Sequence, residues 1–526
     1  MRRKTRNKNL IFLPLALLLL LTGCAAPKNA AAVPDSAPLP SPTPFGLTQS
    51  ADKPHTDSVF TLNYSPSSPL NPYTTLNKDN LLLTGLIYEP LFKVTKDFSF
   101  EPVLVSDWEL KDGYYRFTIK SGVKFHNGAE ITAWDMLYSV NTARSSDRYR
   151  SRLSVISSAW VDNGKLCISL YREDTDFPVL LDIPVIQDGC GYLDTPAGTG
   201  PYYLSGDNTA SFLKAFEGYR AYEKLPLQRI YLAEYSPEES VTAYEEGMLD
   251  LAVMNPYEPS EPEYHGSSEV RRLDTTDLHY LGVNGESPFF DTHKRRRLVS
   301  SVIDREELAA DIIGGTPAYL PVSTASKYYD EDIASAGVYK DIPAAKIDSL
   351  TEDYDGDGIL EYLDGESREL TLNFIACNED YPKLTSARRV ADDLRKAGFD
   401  VNFRELNRKA FFDALYLGDF DLYYGEIWLR ADFDLSQLLS PGGECSYGLT
   451  DNTITGLIQA FLAADGEDKT AAARALFSHI AETCPIIPLA FEQTHLLTHR
   501  GVVTGLNPTW QNPFNDITAW TVDLNR

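Results

Sequence analysis

Residues 370–432 read LTLNFIACNEDYPKLTSARRVADDLRKAGFDVNFRELNRKAFFDALYLGDFDLYYGEIWLRAD. The stretch parses as a strand over 370–377, a helix over 384–397 closed by Gly398, a strand over 399–406, a helix over 408–417 and a strand over 420–429. Strands that alternate with helices at this spacing pair in parallel, because each crossover returns the chain to the same end of the sheet. The fold class expected is α/β, with a doubly wound parallel unit here. In such sheets ligands bind beyond the carboxyl ends of the strands. The third strand ends in Trp428-Leu429-Arg430-Ala431-Asp432, which makes that segment the first candidate for a binding site.

The chain has 526 residues, 43% of them hydrophobic, enough for more than one core and for two or three domains. Its formal net charge is -27, so the surface repels nucleic acid and anionic headgroups and favours solubility. The basic run at 294–297 is short for nucleic acid and reads as the solvated start of a helix. No GxSxG offers a serine nucleophile, and no HExxH frame surrounds His479, His495 or His499, which read as structural histidines. Carboxylates are too abundant for spacing to name a glycosidase pair. Cys24, Cys167, Cys190, Cys377, Cys445 and Cys484 form no CxxC. Spacing does not decide a Cys167–Cys190 disulfide, and buried free thiols are expected.

Basic residues at 2–8 precede twelve mostly apolar residues at 10–21, too few to span ~30 Å of hydrocarbon as a helix. They fit the core of a signal peptide over 1–23. Leu21-Thr22-Gly23-Cys24 resembles a bacterial lipobox, which implies acylation of Cys24 and a lipid anchor. Residues 24–57 are rich in Pro and Ala, with too little apolar content to offset ordering, and read as a disordered tether.

Residues 98–144 read FSFEPVLVSDWELKDGYYRFTIKSGVKFHNGAEITAWDMLYSVNTAR. Tyr115, Phe117 and Ile119 alternate with polar residues as in a half-buried strand. Asn127-Gly128 supplies a turn, Thr132 with Asp135 a capping box, and Trp134, Leu137 and Tyr138 share a helix face. The order of these residues resembles the family 5 extracellular solute-binding proteins, which supply oligopeptides, dipeptides or nickel complexes to ABC importers. Leu70-Asn71-Pro72, Ile87-Tyr88-Glu89-Pro90-Leu91, Gly198-Thr199-Gly200-Pro201-Tyr202 and the run at 281–308 carry the same likeness. Asp304 with Glu307 caps a helix in that last run, and Gly314-Gly315 stops it.

The resemblance implies a two-lobed, hinged, periplasmic-binding-protein-like fold with an inserted domain. One lobe would be assembled from 58–90, 195–275 and 490–526, the inserted domain would occupy 91–194, and the second lobe 276–489. It implies a monomeric, non-enzymatic capture protein outside the cytoplasmic membrane, with permease subunits and ATPases as partners. In peptide-binding members a W-x-x-D segment supplies the acid that meets the peptide's α-ammonium. Here the spacing from Trp428 to Asp432 is one residue longer, and Asp434 follows. Either acid takes the role, or Arg430 pairs with a carboxylate and the ligand is not a free-amino peptide. A nickel or metal-chelate carrier is the alternative, and a secreted hydrolase the remote one. Trp428, Tyr88 and Tyr447 are the aromatic candidates for the cleft.

Asp353, Asp355, Asp357, Gly358, Glu361 and Asp364 resemble a calcium loop, with oxygen ligands at positions 1, 3, 5, 9 and 12. Structural calcium is the one cofactor expectation.

Overall fold

The computed structural model describes residues 59–206, 210–258, 268–338, 351–363, 367–369, 371–450 and 452–524, without side chains at 351, 352, 362, 363 and 367–369. The expected leader at 1–23, Cys24, the tether at 24–57 and Asp364 lie outside them.

Among the described residues, three sheets have four or more strands. The first orders Thr61–Asn63, Arg229–Ala233, Ser211–Ala215 and Tyr202–Gly206. The second, Val105–Lys111, Tyr114–Ile119, Lys165–Leu170 and Ile156–Asp162, is antiparallel throughout and lies wholly within 91–194. The third orders Leu251–Met254, Ile486–His499, Ser268–Val283, Leu422–Trp428, Thr371–Cys377 and Asp400–Leu406, with Gly315–Pro317 beside Ile486–His499. Thr371–Cys377 pairs in parallel with both Asp400–Leu406 and Leu422–Trp428, as the strand–helix alternation requires.

The first crossover helix is Tyr381–Lys396, three residues earlier than its apolar pattern starts. Asp380 caps it and Pro382 sits in the first turn, where a missing N–H costs nothing. Leu384, Ala387, Val390, Ala391 and Leu394 form its buried face against Leu372, Phe374 and Leu422. Each large aliphatic there contributes roughly 1.5–3 kcal/mol.

Ser268–Val283 and Ile486–His499 are long antiparallel partners, and a register shift separates Asp274 from Leu278. The boundaries expected at 275/276 and 489/490 fall inside these strands. A strand satisfies its backbone in the ladder, so no loop-like composition marks a boundary at these positions.

Tyr115 and Phe117 are buried and the Thr132–Asp135 capping box is formed. The helix Ala133–Ser145 buries Ala133, Met136, Ser139, Val140 and Ala143, leaving Trp134 57% exposed. The solvated helix start expected at 294–297 is corrected: Arg295 and Arg296 are buried in the helix His293–Ser301. Arg296 donates to the carbonyls of Phe290 (2.7 Å) and Thr483 (2.9 Å), so its charge serves carbonyl groups at element ends rather than water. Among the described residues Cys167, Cys190, Cys377, Cys445 and Cys484 are free thiols.

Two of the motifs interlock. His126 donates its backbone N–H to Gly198 O (2.9 Å), its Nε2 lies 3.1 Å from Gly200 O, and its Nδ1 accepts from the N–H of Gly198 (3.3 Å). A Cβ on Gly198 would lie 2.1 Å from Ile87 O, so this glycine is required by close approach of the helix Lys78–Ile87. We expect Gly198→Ala to cost about 1–3 kcal/mol in urea unfolding, and an unchanged midpoint would contradict the contact. Burial holds the His126 pKa down, to about 4 against an ordinary 6.5. The stability contributed by its neutral form is therefore complete above pH 6.5 and is lost as pH falls toward 4, by up to roughly 3 kcal/mol. His126→Asn is expected to remove that part of the pH dependence.

Candidate functional site

A cleft of about 570 Å³ opens between the turn Thr95–Phe98, the segment Arg271–Asp274 of the long strand, Ala325, and the C-terminal loop at 506–511. Its size suits a small solute. Trp510 in that loop meets Trp428 edge to face, with ring centroids 6.2 Å apart. Trp428 closes the strand Leu422–Trp428 and is 68% exposed, a large aromatic surface held at the carboxyl end of the parallel unit. Trp510 Nε1 and Gln511 Oε1 are buried without hydrogen-bond partners among the described residues. An orphaned donor and acceptor each cost about 1–3 kcal/mol, and both belong to residues that line the cleft.

The charges at the cleft are uneven. Asp97 accepts from Ser99 (backbone 3.3 Å, side chain 3.1 Å) and from Thr95, so its carboxylate is used by its own turn. Asp274 accepts from Gln493 at 2.7 Å. Arg271 pairs with Glu269 at 2.7 Å. Lys96 and Arg272 are exposed and carry no ion pair among the described residues. The cleft thus presents two unpaired cations on a strongly acidic chain, an arrangement suited to a ligand carboxylate.

Asp432, Asp434 and Arg430 lie together, behind the cleft. Arg430 Nη2 is 2.9 Å from Asp432 Oδ2 and also pairs with Asp434, which in turn pairs with Arg172. Asp434 N–H donates to Asp432 Oδ1 at 3.0 Å. The turn is held with Phe433 at φ 53°, and Phe433 packs on Phe98, itself at φ 59°, with centroids 5.3 Å apart. Each of these non-glycine residues in the left-handed region marks a turn over-determined by its surroundings. Phe98 lines the cleft, so the network supports the cleft wall. Asp176 extends it, accepting from Tyr328 and lying 3.5 Å from buried Lys469. Asp174 is buried here, with Oδ2 unpartnered. Burial first, then the charge of Asp432, pushes its carboxyl well above the usual range.

The other predicted residues lie elsewhere. Tyr88 is buried and donates to Pro196 O at 3.1 Å. Tyr447 packs against Tyr416 and Tyr423, and Tyr423 is at the other end of the strand from Trp428, roughly 17 Å along it. In the acidic loop, carboxylate oxygens of Asp353, Asp355 and Glu361 lie within 4.8 Å of one another. Asp357 instead accepts from Ile359 N–H at 2.8 Å.

A mixed sheet with a parallel unit, and a cleft whose Trp510 meets Trp428 at the carboxyl end of one of its strands, fit the α/β binding-protein class. Residues 99–446 match the family described as bacterial extracellular solute-binding proteins, family 5 Middle, and the chain belongs to that family. It is 23% identical over 350 residues to the oligopeptide-binding protein AppA of Bacillus subtilis, covering 61% of this chain and 63% of that one. It is 25% identical over 270 residues to the glutathione-binding protein GsiB of Salmonella typhi, covering 47% and 53%. The match thus spans less than two thirds of either relative's length. Among solved structures, a putative peptide-binding protein AppA from Clostridium difficile superposes with TM-score 0.68 at 19% identity, covering 89% and 100%. NikA from Brucella suis in complex with Fe(III)-EDTA gives TM-score 0.63 at 20% identity, covering 88% and 99%. These likenesses show the two-lobed periplasmic-binding-protein-like fold. Among the described residues no helix is long and apolar enough to cross a membrane.

A carboxyl kept neutral by folding holds its proton in the native state and releases it more easily when unfolded. Stability therefore falls as pH rises above the ordinary aspartate range, until Asp174 ionises in the folded state. Asp174→Asn, neutral at every pH, is expected to flatten that slope and raise the neutral-pH urea midpoint. A parallel profile would show that Asp174 is ionised in the native protein.

Proposed function

We propose that this chain is the substrate-binding protein of an ABC importer, anchored outside the cytoplasmic membrane through Cys24, and that it captures a small peptide by its carboxylate end. The observation that carries the reading is the cleft itself. Trp510, backed by Trp428, gives it an apolar wall, Trp510 Nε1 and Gln511 Oε1 are an unpartnered donor and acceptor of lining residues, and unpaired Arg272 and Lys96 match an anion. Asp432 enters as the acid that holds Arg430, with Asp434 and Arg172 completing the support, rather than as the partner of a ligand ammonium. Closure would turn on the shared strands Ser268–Val283 and Ile486–His499, near the register shift after Asp274, and present the loaded lobes to the permease.

A metal chelate is the second reading, favoured by the same two cations, since chelators carry several carboxylates. The solved relative NikA holds Fe(III)-EDTA. Native mass spectrometry of the purified chain, titrated with di- to pentapeptides and then with Ni(II)– and Fe(III)–aminocarboxylate complexes, separates the two. The peptide reading predicts that Arg272→Gln weakens peptides with a free carboxylate about tenfold or more and leaves C-terminally amidated peptides unchanged. Trp510→Ala is expected to weaken both kinds by about 10–100-fold. A chain that ignores every peptide and takes up a chelate moves the function to metal import. Equal loss for free and amidated peptides removes Arg272 from ligand recognition.

A further inference from the structure

The third sheet gathers a second constellation that the cleft does not use. In the ladder between Ser268–Val283 and Leu422–Trp428, His279 stands opposite Glu426, and Asp277 opposite Trp428. Ile486–His499 contributes Glu492. His279 Nε2 lies 2.9 Å from Glu492 Oε1 and 3.9 Å from Glu426 Oε2, and one ligand atom from each of the three residues falls within 4.8 Å of the others. His279 and Glu492 are buried, and Glu426 is nearly so, with 17% of its side chain exposed.

Each of the three is oriented by a further group. Tyr424 Oη holds His279 Nδ1 at 2.7 Å, which leaves Nε2 to face the two carboxylates. Asn255 Nδ2 donates to Glu492 Oε2 at 2.8 Å, and Lys383 Nζ reaches Glu426 Oε2 at 2.9 Å. The Tyr257 ring covers the imidazole edge to face at 4.8 Å. Such outer partners fix the tautomer and rotamer of metal ligands and raise their basicity.

A hydrogen-bonded structural histidine accounts for one bond at each ring nitrogen but leaves two features over. Asp277, two residues before His279 on the same strand face, is 5% exposed, and its Oδ1 has no partner among the described residues. Glu426 and Glu492 have between them one ammonium, Lys383, whose own second partner is Asp380. A divalent cation would close that balance.

We propose that His279, Glu426 and Glu492 form a binding site for a divalent first-row transition ion, with Asp277 as an adjoining oxygen donor. One imidazole nitrogen and two carboxylate oxygens suit Zn²⁺ and Mn²⁺ and do not select for Ca²⁺. The ion enters from the Glu426–Lys383 side, the part-exposed edge of the group. The site belongs to the protein itself and lies two register pairs along the ladder from Trp428.

The test uses the full purified chain, stripped with a chelator and titrated calorimetrically with Zn²⁺ and with Mn²⁺. Co²⁺ serves as the optical probe. One equivalent is expected, with Co²⁺ showing d–d bands of a nitrogen–oxygen site and no thiolate charge-transfer band. Glu426→Gln and His279→Gln should each weaken Zn²⁺ by 100-fold or more. Lys383→Met, which removes the competing ammonium, should tighten it. Asp353→Asn, in the acidic loop, should leave it unchanged. Should His279→Gln fail to fold, Glu426→Gln and Lys383→Met carry the test at part-exposed positions. No stoichiometric binding, binding that survives Glu426→Gln, binding lost with Asp353→Asn, or a thiolate band would each overturn the proposal.

Discussion

The antiparallel ladder between Ser268–Val283 and Ile486–His499 is the constraint on which the rest depends. Sixteen residues of one strand cover roughly 50 Å. One end of the pair carries Arg271, Arg272 and Asp274 to the cleft, and further along it His279 meets Glu492. Because strand side chains alternate faces, a one-residue slip would turn these groups away from their partners. The register shift after Asp274 relaxes the ladder between the two groups of residues without ending it.

Against that ladder the protein sets a buried ionic support. Arg430 and Arg172 share Asp432 and Asp434, while Lys469 and Tyr328 hold Asp176. Charges this deep persist only when paired, since desolvation of each costs several kcal/mol. The support joins the segment at 172–176 to the loop at 430–436, and the Phe98–Phe433 contact carries it to the cleft wall. Site geometry therefore depends on pairs that no ligand need touch.

Much of the fold was legible in one dimension. The alternation over 370–432, the Thr132–Asp135 capping box, and the glycines at 198 and 200 all depend on neighbours a few residues apart or on backbone contact. Burial was less legible, because a short charged run such as 294–297 reads the same whether it faces water or carbonyl groups. The cleft was half legible. Trp428 stands at a strand end that topology makes a ligand position, whereas Trp510 and Gln511 come from a Pro- and Asn-rich loop that carries no periodic signal. Tyr88 and Tyr447 had aromatic character as their only credential, and packing used it elsewhere.

The sequence by itself determined the α/β class, the parallel unit, the helix starts and the family likeness, because these follow from local periodicity, turn chemistry and motif order. The tertiary structure alone decided which charges are already spent. Whether Asp432 awaits a ligand or holds Arg430 depends on which guanidinium lies within 3 Å of it. Whether Lys96 and Arg272 are unpaired depends equally on every acid near them. The meeting of His279 with Glu492, 213 positions later, exists only through strand register. Coulomb and hydrogen-bond energies fall off over a few ångströms of space, and distance along the chain does not report that space.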